Sequence, residues 1–283
     1  MDTLPSPPTT STIAPLAEWA AHHQRLFVLT GAGCSTSSGI PDYRDAEGTW
    51  KRPPPVTIQA FTGSTTVYQR YWARSFVGWP RIAAAQPNAA HRALAALEDA
   101  GRVSALVTQN VDGLHQRAGS RNAIDLHGRL DQVVCLGCKA LRPRLELQHA
   151  MTQRNGDWTP FRVAQAPDGD ADIDDDAAAN FHPPTCTACD AMLKPDVVFF
   201  GENVPRARYD RAVAALHAAD AMLVAGSSLM VYSGFRFARM AKDAGLPLVI
   251  VNRGRTRADD IADLKVDADV GIALQRVMDH CDA

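Results

Sequence analysis

A five-residue apolar run, Leu26 to Thr30, passes directly into Gly31-Ala32-Gly33, and this junction restricts the fold more than any other stretch. Bounded in this way, the run reads as a buried strand delivering a tight turn. Small polar residues continue to Gly39, and Ile40-Pro41-Asp42-Tyr43-Arg44 follow. A glycine turn leaves backbone N–H groups unshielded by Cβ, and a helix N-terminus behind it adds a field that favours a phosphate. The pattern departs from G-x-G-x-x-G/A, because Thr36 stands where the third small residue belongs. Taken alone, it suits a nucleotide site and a plain strand-to-helix turn equally well.

The rest of the chain continues the alternation. Residues 13 to 24 read as a helix, and Val67 to Trp79 as an aromatic one that the prolines at 53 to 55 separate from what precedes it. A third helix, Asn88 to Ala100, carries Ala90, Ala93, Leu94 and Leu97 on one face and stops at Gly101. Val103 to Thr108 is a strand that ends in Gln109-Asn110-Val111-Asp112. Later strands are expected at Val197 to Phe200, Ala221 to Ala225 and Leu248 to Val251, with helices at Tyr209 to Ala219 and Phe235 to Ala244. Strands separated by helices of this length need right-handed crossovers, so the expected fold is α/β with a mostly parallel sheet. Polar and small residues close three strands: Gln109 to Asp112, Gly226-Ser227-Ser228 and Asn252-Arg253-Gly254. Such sheets hold ligands at these ends, although each cluster in isolation is an ordinary turn or cap.

Composition excludes several classes of function. Hydrophobic residues make up 46% and charged residues 21%, enough for a sizeable core. A net charge of −2 gives no electrostatic basis for nucleic-acid or membrane binding. No apolar run reaches the roughly 20 residues of a spanning helix. Residues 1 to 12 read as a disordered, Pro-rich lead, and the absence of Lys and Arg before Arg25 argues against a secretory or mitochondrial leader, so a cytoplasmic protein is expected.

Four of the six cysteines form two matched pairs, Cys135-x-x-Cys138 and Cys186-x-x-Cys189, while Cys34 and Cys281 stand apart. In a reducing compartment such pairs are expected to close a tetrahedral thiolate site around one structural zinc; inert buried thiols or a redox pair would not require two matched units. Four thiolates leave no coordination position for substrate, so the metal holds the fold together and performs no chemistry. Between the pairs, Asp168 to Asp176 is acidic without the glycine and glutamate of an EF-hand and reads as a solvated loop. His127 follows the apolar Ile124 to Leu126; it is either a satisfied structural residue or, beside a ribose, a general base.

Thr30 to Arg44, Thr108 to Gly119, Leu126-His127-Gly128, the four cysteines, Lys194 to Glu202 and Gly226 to Phe237 together resemble the sirtuin (Sir2) family, in family order across nearly the whole chain. The wording of Arg70 to Pro80, Leu193 to Glu202 and Ser227 to Phe237 is most similar to the class II branch of the mitochondrial lipoamidase and ADP-ribosyltransferase sirtuin of animals, as a bacterial relative. The resemblance implies an NAD-dependent protein-lysine deacylase that consumes NAD, with acylated-lysine proteins or peptides as substrates. Protein mono-ADP-ribosyl transfer and a non-catalytic NAD sensor are the alternatives. It implies a Rossmann-type domain from residues 13–50, 87–126 and 196–283, and a small domain from the helical insert 51–86 and the zinc module 127–195. Gly31, Ala32, Gly33 and Arg44 would face the pyrophosphate, with Asp42 in the same cofactor loop and Tyr43 as a gate. Gln109 and Asn110 would hold the nicotinamide ribose, and Val111 and Asp112 the carboxamide. The adenosine half would lie among Gly226, Ser227, Ser228, Asn252, Arg253, Gly254 and Val270. Asn110, Asp112 and His127 would be catalytic, with His127 the base. Val198, Phe199, Phe200, Gly201 and Glu202, with Leu229 to Tyr232, would sandwich the peptide as an added strand. Tyr71 and Arg74, one helical turn apart, match a pair that reads acyl carboxylates, the alternative being a surface arginine on a packing helix. Cys34 departs from the family's alanine or isoleucine and reads as a small buried hydrophobe or an oxidation-sensitive thiol.

Overall fold

The structure, a computed structural model, describes residues 10–51, 55–156, 158, 164–165, 171–172 and 178–281. In chain order the elements are α1 (Thr10–His22), β1 (Leu26–Thr30), α2 (Ile58–Gly63), α3 (Thr65–Ala84), α4 (Ala89–Asp99), β2 (Val103–Thr108), α5 (Leu114–Arg117) and β3 (Ala123–Asp125). Next come β4 (Gly128–Cys135), β5 (Leu141–Pro143), α6 (Arg144–Arg154), β6 (Ala164–Gln165), β7 (Ala171–Asp172) and β8 (Leu193–Val197). The chain closes with α7 (Arg206–His217), β9 (Ala221–Ala225), α8 (Tyr232–Asp243), β10 (Leu248–Val251), β11 (Leu264–Val266) and α9 (Val270–Cys281). Apart from residues 171 and 172, the acidic stretch at 168 to 176 lies outside the described residues, as do residues 1 to 9.

Six strands form one sheet in the order β11-β10-β9-β1-β2-β3, and every pair in it is parallel. Both faces are covered, which is why these strands read as continuous apolar runs. Leu26 and Val28 enter one core with Ala221, Leu223, Val249 and Val251, under α1, α4 and α9. Phe27 and Leu29 enter the opposite core with Met222, Val224, Leu248 and Ile250, under α7 and α8. The two-residue pleat therefore divides β1 between two hydrophobic layers. Strand order reverses at β1, which lies between β2 and β9. That reversal opens a crevice at the carboxyl ends of β1, β2 and β9.

A third core joins the helical insert to the cysteine-bearing segment. Phe61, Tyr68, Tyr71 and Trp72 of α2 and α3 pack with Val133, Cys135, Met151, Phe181, Cys186 and Leu193. α3 runs through Pro80 and so outlasts the expected stop at Trp79. Proline removes the N–H that Phe76 C=O would accept, and Gln148 Nε2 donates to that carbonyl instead, at 3.0 Å.

Three expectations are corrected. The strand expected at Val197 to Phe200 is β8, which ends at Val197 and belongs to the three-stranded antiparallel sheet β5-β4-β8. Pro195 cannot donate to a ladder; it sits in an edge strand, opposite Val133 at a register shift. The lead is shorter than expected, because α1 begins at Thr10. After the glycine turn no α-helix forms: Ala32–Cys34 and Thr36–Ser38 are single 3-10 turns, and Gly39 ends them at φ +82°.

Candidate functional site

The crevice is built on three glycines in mutual contact. A Cβ on Gly31 would lie 2.7 Å from Ser227 Cβ, one on Gly33 3.0 Å from Gly226 O, and one on Gly226 2.4 Å from Cys34 N. Gly226 also has φ +65°, so glycine is required there twice over. The N–H groups of Gly31 and Gly33 donate to Ala225 O and Gly226 O at 3.2 and 2.9 Å. The outward-facing phosphate cradle expected at these two amides is therefore absent: they tie β1 to β9.

The resulting cleft encloses about 490 Å³ and lies between the sheet's carboxyl edge and the third core. Gly31, Ala32, Gly33, Asp42, Tyr43 and Arg44 line it from the first loop, and Gln109, Asn110, Val111, Asp112 and His127 from β2 and β3. Val198 to Glu202, Gly226 to Ser228, Leu229 to Tyr232, Asn252, Arg253 and Tyr71 complete the expected residues found there. Gly254, Val270 and Arg74 do not line it. Gly254 instead packs on the first loop, where a Cβ would meet Ala46 O at 2.5 Å. Val270 is buried beneath α4, in the core at the start of α9. Arg74 follows Tyr71 by three residues on α3 and is half-buried. Tyr71 itself packs against Phe61 and Phe199, with centroids 5.1 and 5.3 Å apart.

The histidine is held from both sides. His127 Nδ1 lies 3.0 Å from Gln109 O, and because a carbonyl only accepts, Nδ1 carries the proton. Nε2 is therefore the basic nitrogen, and Ser233 Oγ donates to it at 2.8 Å. Burial pushes the imidazole below its ordinary value; Arg236 and Arg208 push the same way, against the Gln109 hydrogen bond. The ring is neutral and ready to accept a proton. Gln109 is fixed in turn by Ser227 Oγ, which donates to Oε1 at 2.7 Å.

Beside it, Asn110 Nδ2 donates to Gly31 O and to Ser35 Oγ, both at 3.0 Å. Ser35 Oγ donates to Asp112 Oδ2 at 2.7 Å, and Leu114 N–H to Asp112 Oδ1 at 2.9 Å. The two polar side chains after β2 are thus cross-braced to the loop after β1. A buried histidine layer supports them. Asn88 N–H donates to His91 Nδ1 at 3.2 Å, so His91 Nε2–H points to Ser35 Oγ at 3.4 Å. Thr30 Oγ1 donates to Thr108 Oγ1 at 2.9 Å and so accepts from His115 Nε2, also at 2.9 Å. Burial lowers His91 to about 4 and His115 to about 3, so both rings are neutral. Cys34, with its thiol pushed up by burial, completes a fully buried set with these rings. Both nitrogens of His91 are already hydrogen-bonded, so the set is polar packing. Ser35, His91, His115 and Ser233 went unremarked in sequence; only the Asn88-x-x-His91 spacing, a capping box in the structure, could have drawn notice to one of them.

The first loop folds back on itself over the crevice. Asp45 Oδ1 accepts from Glu47 and Thr49 N–H, and the Arg44 guanidinium lies 3.9 Å above the Trp50 ring while Nη1 donates to Gly48 O at 2.7 Å. Tyr43 meets the Trp50 edge at 6.1 Å, and Asp42 pairs with Lys51 at 2.5 Å. On the opposite wall, Val198 N–H donates to His127 O at 2.8 Å, and Phe199 N–H to Glu202 Oε2 at 2.7 Å. Phe200 O accepts from Ile58 N–H at 2.9 Å. Part of the edge expected to receive an added strand is therefore already paired within the chain.

The four paired cysteines converge. Cys135 and Cys189 sulfurs are 3.5 Å apart, Cys138 and Cys186 sulfurs 3.8 Å, and all four lie within 4.8 Å of one another. Four Zn–S bonds of about 2.3 Å in a tetrahedron require S···S separations of about 3.8 Å, so the set fits zinc. The pairs form twin knuckles: Lys139 and Asp190 N–H donate to Cys135 O and Cys186 O, and both residues adopt positive φ, +63° and +57°.

Fold and site together define an α/β nucleotide-binding protein with its ligand crevice at a strand-order reversal and a four-thiolate zinc module beside it. The model of the Sir2 family matches residues 31–233. A protein of Xanthomonas campestris pv. campestris (strain 8004), named NAD-dependent protein deacetylase, is 62% identical over 265 residues, covering 94% of this chain and 90% of its own length. NAD-dependent protein deacetylase 2 of Bradyrhizobium diazoefficiens is 56% identical over 259 residues, covering 92% and 95%. A solved structure described as "Sir2-p53 peptide-NAD+" superposes with a TM-score of 0.75 at 32% identity, covering 94% of this chain and 97% of that one. The chain belongs to the Sir2 family.

Proposed function

We propose that this chain is an NAD-dependent protein deacetylase that removes acyl groups from lysine and consumes NAD as a co-substrate. In that reaction the nicotinamide–ribose bond breaks as the acyl oxygen bonds to the anomeric carbon. A deprotonated ribose hydroxyl attacks the acyl carbon, the C–N bond to lysine breaks to release the amine, and one water adds to leave the acyl group as an ester on ribose. The observation that carries the reading is the orientation of His127, whose Nδ1–H is committed to Gln109 O, leaving Nε2 as a neutral base on the cleft wall. His127 takes a proton from a ribose hydroxyl at Nε2. Asn110 and Asp112, braced by Ser35, position the nicotinamide ribose and carboxamide. Gln109 and Val111 flank them. Ala32, Asp42, Tyr43 and Arg44 close over the pyrophosphate side, with Gly31 and Gly33 holding that loop against β9. Gly226 to Ser228, Asn252 and Arg253 border the adenosine half. Val198 to Glu202 and Leu229 to Tyr232 receive the peptide. The four-thiolate zinc holds β4 to the segment before β8 and takes no part in the chemistry.

The chain divides at the cleft into a nucleotide-binding lobe, residues 13–50, 87–126 and 196–283, and a small lobe, residues 51–86 and 127–195. We read Arg70 to Pro80 and Ser227 to Phe237 as wording of the class II, lipoamidase-type branch, and propose a cytoplasmic enzyme, in keeping with its free cysteine pairs. Among the described residues no helix is long and apolar enough to cross a membrane. The test is turnover of an acetyl-lysine peptide with NAD by wild type and His127→Ala. Loss of acyl transfer in a folded variant is expected, and unchanged turnover overturns the role given to His127.

A further inference from the structure

Ser233 lies at the start of α8, and the sequence around it explains why it reaches the histidine. Gly234 N–H donates to Val231 O at 3.1 Å, closing a tight turn. Gly234 has no Cβ to hold the helix away: a Cβ there would lie 2.6 Å from Gln109 Nε2. The first turn of α8 is thereby pressed against the residue whose carbonyl orients His127. Arg236 Nε donates to Ser233 O at 3.4 Å, and its guanidinium lies 4.3 Å above the Tyr209 ring, which fixes the turn from the other side. Ser233 Oγ is left 2.8 Å from His127 Nε2.

The direction of that bond follows from the other nitrogen. With Nδ1–H given to Gln109 O, Nε2 has only a lone pair, and the serine hydroxyl must donate to it. The lone pair needed to remove a ribose proton is thus already engaged. We propose that Ser233 is a positioning residue that caps the basic nitrogen of His127 in the free enzyme, so that the incoming ribose hydroxyl must displace it before proton transfer. This inference rests on the deacetylase reading for its functional meaning. In the transfer itself, the ribose O–H bond breaks, an Nε2–H bond forms, and Ser233 keeps its own proton. Other groups around Nε2 act in the same sense as the cap. The helix N-terminus that carries Ser233 disfavours an imidazolium, as do the cations of Arg236 on α8 and Arg208 on α7, the latter paired with Asp196 of β8 at 2.7 Å.

The capping bond can be measured without turnover. In the ligand-free full-length protein, the His127 ring is followed by NMR from pH 4 to 8 in wild type, Ser233→Ala and Ser233→Thr. A donor on the lone pair stabilises the neutral ring, so its removal should raise the His127 midpoint by about half to one pH unit. Ser233→Thr retains the hydroxyl and should titrate as wild type does. If acetyl-peptide turnover is present, the acid limb of kcat/KM should move upward with the ring in Ser233→Ala. A midpoint unchanged or lowered in Ser233→Ala overturns the proposal and leaves the hydroxyl as packing. A fall in kcat/KM of a hundredfold or more at every pH overturns it too, because an obligate proton carrier would be required. Absence of turnover in all three proteins, with the ring shift present, refutes the deacetylase reading and leaves the cap standing.

Discussion

Lowering the pH from 7.5 to 5.0 should destabilise this protein through its two buried histidines. His91 and His115 support Ser35 and Thr30, and burial depresses them from 6.5 to about 4 and about 3. Both folded values lie below the unfolded one, so the unfolded chain binds protons first as pH falls. Stability present above 6.5 is therefore lost between 6.5 and about 4 for His91, and between 6.5 and about 3 for His115. At pH 5.0 the unfolded rings are almost fully protonated and the folded rings almost wholly neutral. Each then contributes a loss of about 2 kcal/mol, roughly 4 kcal/mol together, with about two protons taken up on unfolding. Urea unfolding at several pH values reads both quantities, the uptake from the slope of stability against pH. His127, also depressed by burial, adds in the same direction. A stability that is flat between pH 7.5 and 5.0 would refute the neutral, hydrogen-bonded assignment of the pair.

Gly226→Ala should lower stability by about 2 kcal/mol or more and abolish NAD saturation, because φ is +65° and the new Cβ meets backbone at 2.4 Å; urea midpoints and NAD titration check it. Metal analysis of the purified chain should find one zinc per molecule, and chelation or Cys186→Ser should loosen the small lobe, read as earlier melting and new proteolytic cuts there. Phe61→Ala removes a fully buried ring packed against Tyr68, Tyr71 and Phe199, and should cost about 3–5 kcal/mol in urea unfolding. If Tyr71 and Arg74 read an acyl carboxylate, Arg74→Ala should lower succinyl-peptide turnover more than acetyl-peptide turnover; equal loss on both would sink that reading.

The nucleotide-binding layer was legible because its strands are buried on both faces. Leu26 to Thr30, Val103 to Thr108, Ala221 to Ala225 and Leu248 to Val251 appear as apolar runs closed by glycine or polar residues, and the structure begins and ends these strands at the same positions. Apart from helix α3, expected over Val67 to Trp79, the small lobe was legible only through its thiols. Its sheet has a proline in an edge strand and a register shift, and neither produces a regular period. Helix α3 passes Pro80 because a glutamine from α6 supplies the missing hydrogen bond, a compensation distant in sequence. The site followed the same division. Strand-end residues were found where an open sheet places ligands, whereas Ser35, His91, His115 and Ser233 act through partners that only the fold brings near.

The central claim is tested most directly by incubating the purified protein with NAD and an acetyl-lysine peptide and quantifying nicotinamide and deacetylated peptide together. The account predicts equal amounts of both, no nicotinamide release without the acetylated peptide, and loss of deacetylated product in His127→Ala. Nicotinamide release without peptide deacetylation, with label from NAD appearing on protein, would contradict it.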